Sequence, residues 1–248
     1  FDDNDETVKV GFGGTVDITP KPPALDVFDR AVSKTCGAPG KVVTREEFKA
    51  LFAAHPDVLR RIEGFTGGRV FATRGVRGAT RDYLEDLTDA WFAIAAFDHI
   101  FCGEPAANGG KIGGLHFHGR YLDLQKEGSA CRMSNYAQNE VVPGVIYTMG
   151  VMMKNASGTF VRDARKGYGL TTSAEDIFKI VTRAFAENPT TSSESTGCLL
   201  PVTDDGQRFT AVFVRRAAGI RTFYPDATPN ARGTTQNPPC AAEITIAP

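Results

Sequence analysis

The spacing of apolar residues changes near Gly144, and that change limits the folds open to this chain. Upstream, the three-to-four-residue step of helices prevails. Thr44-Arg45-Glu46-Glu47 is a capping box: the threonine serves free N–H groups of the first turn and Glu47 reaches back. Phe48, Leu51, Phe52 and Leu59 follow at helical spacing, and Pro56 breaks the run into two short helices. The glycine-bearing GFTGGRVFATRGVRGAT leaves room for a short strand. A longer helix is expected from about Arg81 to Ala96, with Leu84, Leu87, Trp91, Ile94 and Ala95 as its buried stripe.

Downstream the step shortens to two. Val145, Tyr147, Met149, Val151 and Met153 alternate, as in a strand with one buried face. A second capping box, Thr172-Ser173-Ala174-Glu175, opens a helix whose apolar face is Ile177, Ile180, Val181, Ala184 and Phe185. ENPTTSSESTG reads as a loop, and CLLPV, FTAVFVRR and IRTFYP as three closing strands. The tail from Pro225, rich in Pro, Asn, Thr and Gly, is expected to run over the surface. The predicted class is therefore α+β: a mostly helical region over residues 1–90, then antiparallel sheets with packed helices over residues 91–248.

Charge excludes some functions. With 28 basic and 29 acidic side chains the formal net charge is −1, so a polyanion would have to be held by a local basic patch, and processive DNA binding is disfavoured. The longest apolar cluster, AWFAIAAF, is too short to span a bilayer. The chain starts at Phe1 with the polar DDNDET behind it, which reads as a processed terminus and leads to the expectation of a secreted or exported protein. Five cysteines without a CxxC pair argue against a structural zinc site, and their odd number leaves at least one thiol free or paired with another molecule. Asn155-Ala-Ser157 fits the glycosylation sequon.

The chain has four histidines, and three of them fall in FDHIFCGEPAANGGKIGGLHFHGRY, residues 97–121. Two chemistries compete for them. Gly110, His116, His118 and Asp123 nearly reproduce a cupin motif, in which two histidines on one strand face hold a metal. A cupin needs glutamate where Asp123 stands and a later third histidine, and none follows residue 118. Alternatively His99 and His116, on either side of the glycine-rich stretch, act as acid and base, since imidazole titrates near neutrality.

The order of motifs favours proton transfer. Asp98-His99-Ile100-Phe101-Cys102-Gly103-Glu104 followed by Gly113-Gly114-Leu115-His116 resembles the EndoU endoribonucleases, which include poly(U)-specific animal enzymes, the coronavirus uridylate-specific endoribonuclease and bacterial toxin nucleases. Ile220-Arg221-Thr222-Phe223-Tyr224-Pro225 is similar to the strand that supplies that family's tyrosine. The likeness runs from about Ala90 to Pro225. It implies a catalytic lysine ahead of a helix, here Lys166, with Lys154 as the second choice. A hydroxyl for base recognition would come from Thr171 or Thr172, because the family's usual four-residue step lands on Leu170.

The implied reaction is cleavage of single-stranded RNA at uridylates by the substrate's own 2′-hydroxyl, giving a 2′,3′-cyclic phosphate and a 5′-hydroxyl. His116 would take the 2′-OH proton, His99 would protonate the leaving oxygen, Lys166 would steady the phosphorane charge and Tyr224 would stack on base or ribose. Gly113 and Gly114 would let main-chain N–H groups approach a phosphate. His118, outside the pattern, is expected to orient His116 or to face solvent. Some family members use manganese; with no dedicated metal ligands here, cleavage without a cofactor is expected, manganese stimulation remaining the alternative. The toxin members imply an inhibitor or immunity protein as partner, and oligomeric state stays open. Two other readings remain: a catalytically silent RNA- or carbohydrate-binding module, and the metal-dependent cupin-like enzyme.

Overall fold

A computed structural model describes residues 7–10, 14–17, 22–133, 139–142, 144–226 and 237–246. Two short strands, β1 (Thr7–Val10) and β2 (Gly14–Asp17), pair antiparallel ahead of four helices. These are α1 (Val27–Cys36), α2 (Arg45–Ala54), α3 (Pro56–Phe65) and α4 (Thr80–Phe92). The capping box at Thr44 forms as the sequence requires, Thr44 accepting from Glu47 N–H and Glu47 from Thr44 N–H. Pro56 sits at the first turn of α3, where its missing N–H costs nothing. Gly64 to Ala79 holds turns but no strand.

The long helix stops at Phe92, earlier than its composition predicts. Ala95 takes φ +57°, and a single π-helical turn, Asp98–Cys102, follows (the π-turn). Good helix formers are overruled here by long-range anchors. Cys102 is bridged to Cys36 of α1, and buried Asp98 accepts from Val43 N–H at 3.1 Å.

Next come β3 (Glu104–Pro105), β4 (Ile112–Gly113) and α5 (His118–Lys126), then β5 (Ala130–Met133), β6 (Asn139–Val142), β7 (Ile146–Lys154) and β8 (Phe160–Gly169). β7 is central: β8 takes one edge along its length, while β5 and β6 share the other. Helix α6 (Ala174–Glu187) leads to β9 (Thr196–Asp204), β10 (Gln207–Arg216) and β11 (Gly219–Pro225), the three closing strands expected. The cap of α6 falls one residue later than predicted. Ser173, not Thr172, bonds Asp176 N–H, and Asp176 completes the box.

The tail is more than surface chain. Residues 227–236 lie outside the description, but Ile244–Thr245 forms β12, which pairs parallel with β9, and Cys240 is bridged to Cys198. The sheet order is β11-β10-β9-β12. Cys131 is in neither bridge. Residues 1–6 are likewise outside the described residues.

Phe178 of α6 joins the two halves of the chain. Its ring packs at 4.5 Å from Trp91, 4.9 Å from Phe101 and 5.2 Å from Phe52, so helices, π-turn and α6 share one core. A second cluster, including Leu115, Tyr121, Met149, Val151 and Tyr168, lies against β7 and β8. The histidine segment runs between the two. No described helix is long and apolar enough to cross a membrane.

Candidate active site

Main-chain hydrogen bonds bring the two histidines together. Leu115 N–H donates to the His99 carbonyl at 2.9 Å and His116 N–H to the Ile100 carbonyl at 2.8 Å, so the loop after β4 is laced to the π-turn. Only glycine permits the approach. Gly114 has φ +60°, and a Cβ there would fall 1.7 Å from the His99 carbonyl oxygen. The close approach that needs Gly114 is thus made to the protein's own main chain. The resulting ring centroids of His99 and His116 are 5.7 Å apart.

The rings have different surroundings. His99 Nδ1 lies 2.6 Å from Glu104 Oε2, and this carboxylate fixes the ring's orientation. Glu104 is held below the ordinary carboxylate range: burial opposes ionisation, but the His99 bond and the neighbouring Arg221 outweigh it. His116 stacks on Tyr224, with centroids 4.9 Å apart and an interplanar angle of 25°. Burial first, then the Lys166 ammonium and His99, push His116 well below the usual imidazole range. A neutral imidazole at neutral pH is a proton acceptor.

Lys166 arrives from β8 by way of a bulge. Met149 pairs with Lys166 and Val151 with Asp163, so one residue of β7 faces two of β8. Without the bulge Asp163 and Lys166, three apart, would point to opposite faces. With it, Asp163 Oδ2 reaches Lys166 Nζ at 2.9 Å. The ammonium also donates to the Ile112 carbonyl and is 5% exposed. Burial lowers the Lys166 pKa, and Asp163 opposes the shift. Lys166 thus occupies a buried strand position. Lys154 sits elsewhere, at the far end of β7 over the Phe160 ring, about 17 Å along the strand from the partner of Lys166.

Thr172 is buried and lines a small pocket with His116, Ile100, Gly169 and Phe223; it is free of the helix-capping duty that Ser173 performs. The hydroxyl of its neighbour Thr171 has no hydrogen-bond partner among the described residues. His118 departs from both expectations. It occupies the first position of α5, is buried, and donates from Nδ1 to the Gly169 carbonyl at 3.0 Å, and burial lowers its pKa to about 4. His116 and His118 therefore do not project from one strand face, because the chain turns into a helix between them. The cupin arrangement is absent for that reason. No group of three or more His, Cys, Asp or Glu side chains is placed to hold a metal among the described residues. Asn155 is no glycan acceptor in this fold: its buried amide donates to the Ala106 and Ala107 carbonyls and tethers the glycine-rich loop.

Two imidazoles, a buried ammonium and a stacked tyrosine are thus gathered from the π-turn, the loop after β4, β8 and β11. Over residues 95–227, more than half of the chain, the sequence matches the model of the bacterial EndoU nuclease family. The chain belongs to that family. EndoU membership makes it a nuclease whose substrate is RNA. No curated protein matches the sequence. The EndoU match begins just before the π-turn and ends just past β11, so it encloses His99, His116, Lys166, Thr171, Thr172 and Tyr224. Reasoning from sequence alone missed Glu104, Asp163 and Arg221 as partners. Glu104 had a signal, the acidic position after glycine in the EndoU-like pattern; the other two depend on bulges.

Proposed function

We propose that this EndoU protein is an endoribonuclease that cleaves single-stranded RNA, preferentially at uridylates, by transesterification. The observation that carries the reading is the pair of imidazoles 5.7 Å apart in unlike environments, with the Lys166 ammonium electrostatically coupled to one of them. The 2′-oxygen forms a bond to phosphorus as the P–O5′ bond breaks. His116, neutral and desolvated, accepts the 2′-OH proton. His99, steadied by Glu104, delivers a proton to the departing 5′-oxygen. Lys166 would steady the charge that gathers on the non-bridging oxygens, where a positioned cation in a partly dry cleft contributes on the order of a few kcal/mol.

Tyr224 presents a ring to the base or ribose, and Thr171 or Thr172 a hydroxyl to the uracil edge. Every step uses side chains of this chain and the substrate's own nucleophile, which supports activity without a resident metal. The Cys36–Cys102 and Cys198–Cys240 bridges support action in an oxidising compartment after export. The test uses an oligonucleotide bearing one 2′-deoxy substitution before the scissile bond, with EDTA present. Cleavage should vanish at that bond alone; cleavage that survives removes the mechanism.

A further inference from the structure

Arg221 has no place in the scheme above, yet its position is built with care. In the β10–β11 ladder Val214 pairs with Thr222 and Arg215 with Ile220, so one step on β10 matches two on β11 and Arg221 is the extra residue. Simple alternation would put its side chain on the face of Phe223, which is core. The bulge frees it from that face. The guanidinium donates from one nitrogen to the Ile94 carbonyl at 3.1 Å, in the turn that ends α4. Its other terminal nitrogen lies 3.6 Å from Glu104 Oε2, the same oxygen that His99 Nδ1 meets at 2.6 Å. Arg221 thereby ties three segments: β11, the turn leading into the π-turn, and β3.

We infer that Arg221 is a positioning residue for the acid half-step, acting through Glu104 on His99; this rests on the ribonuclease reading above. The groups facing Glu104 are the His99 ring, Arg221 and, at longer range, Lys166 and Asp98. Of these cations Arg221 alone is also anchored to the chain segment that carries His99. A carboxylate held from both sides keeps one orientation, and the imidazole that leans on it keeps its aim at the 5′-oxygen. Arg221 is removed from the proton transfer itself by one residue.

A leaving group that needs no proton separates this role from others. Two substrates are compared: a uridylyl-(3′→5′)-nucleoside, whose alkoxide must be protonated as the P–O5′ bond breaks, and uridine 3′-(4-nitrophenyl phosphate), whose nitrophenolate departs unaided. For Arg221→Ala we expect kcat on the dinucleotide to fall about ten- to a hundredfold, part of the whole contribution of a general acid. The aryl ester should be cleaved within about twofold of wild type. Arg221→Lys should recover most of the loss. Arg221→Gln, which keeps a polar side chain and drops the charge, should show the alanine defect on the dinucleotide and leave the aryl ester within about twofold of wild type. Equal slowing of both substrates, or a rise in KM alone on the dinucleotide, overturns the proposal. If wild type releases nitrophenolate and His116→Ala does not, the underlying reading stands whatever Arg221 does; if wild type cleaves neither substrate, that reading fails and the proposal with it.

Discussion

The His116 imidazole lies nearly parallel to the Tyr224 phenol, 4.9 Å away at 25°, so the proposed base is backed by an aromatic plate. Aromatic pairs of this kind contribute about 0.5–1.5 kcal/mol beyond burial. Tyr224→Phe should therefore leave kcat within a few-fold of wild type, whereas Tyr224→Ala should lower kcat/KM by at least two- to tenfold, since the nucleotide loses its platform as well. Steady-state kinetics on a uridylate oligonucleotide checks both. A phenylalanine variant as poor as alanine would show that the hydroxyl, and not the ring, matters.

Gly114→Ala should harm both stability and rate. The left-handed backbone costs about 1–3 kcal/mol for a side-chain-bearing residue, before any clash with the His99 carbonyl is counted. For a chain of this size the melting temperature should drop by several degrees or more, roughly 2–4 °C per kcal/mol, and activity should fall with the displaced His99. Gly109→Ala is the control: φ is +78° but an added Cβ meets nothing, so only the backbone cost applies.

Asp163→Asn should move the alkaline limb of activity. Asp163 opposes the effect of burial on Lys166, and without its charge the Lys166 pKa falls further. The ammonium is then lost at lower pH than in wild type, and the variant loses rate first on the alkaline side. A kcat–pH profile taken from neutrality upward measures this, and coincident limbs would contradict it.

His118 links stability to acid. Its folded pKa of about 4 lies below the unfolded imidazole value near 6.5, so the unfolded chain binds the extra proton first. Stability from this group is complete above about pH 6.5, is lost as pH falls toward 4, and amounts to about 3 kcal/mol. His118→Asn keeps a donor for the Gly169 carbonyl but does not titrate. Denaturant unfolding at several pH values should show a shallower acid loss in that variant.

The local features of this chain were legible in its sequence and the crossed ones were not. The Thr44 capping box and the closing β-meander depend on neighbours a few residues away, and both form as the pattern requires. The π-turn is fixed by Cys36 and Val43, far off in sequence, so the predicted helix runs past its true end at Phe92. β8 carries four charged residues and two glycines among its ten positions, and it is a strand because β7 pairs with it. In the candidate site, His99, His116 and Tyr224 stand in contiguous motifs, whereas Lys166 was singled out only by its place ahead of a helix, with Lys154 as the second choice. Asp163 and Arg221 could not be picked out, since a bulge reverses the parity on which strand reasoning depends. Thr172 looked like a helix cap because the true box begins one residue later.

In the proposed reaction His99, His116 and Lys166 converge on one phosphodiester whose own 2′-oxygen attacks. The most direct measurement is mass spectrometry of the two ends left at a single cleaved uridylate, run for wild type and for His116→Ala. Wild type should leave a 2′,3′-cyclic phosphate, one water lighter than the open phosphate, opposite a 5′-hydroxyl, with these products strongly reduced in the variant. A 5′-phosphate opposite a 3′-hydroxyl, or undiminished cleavage by His116→Ala, would contradict it.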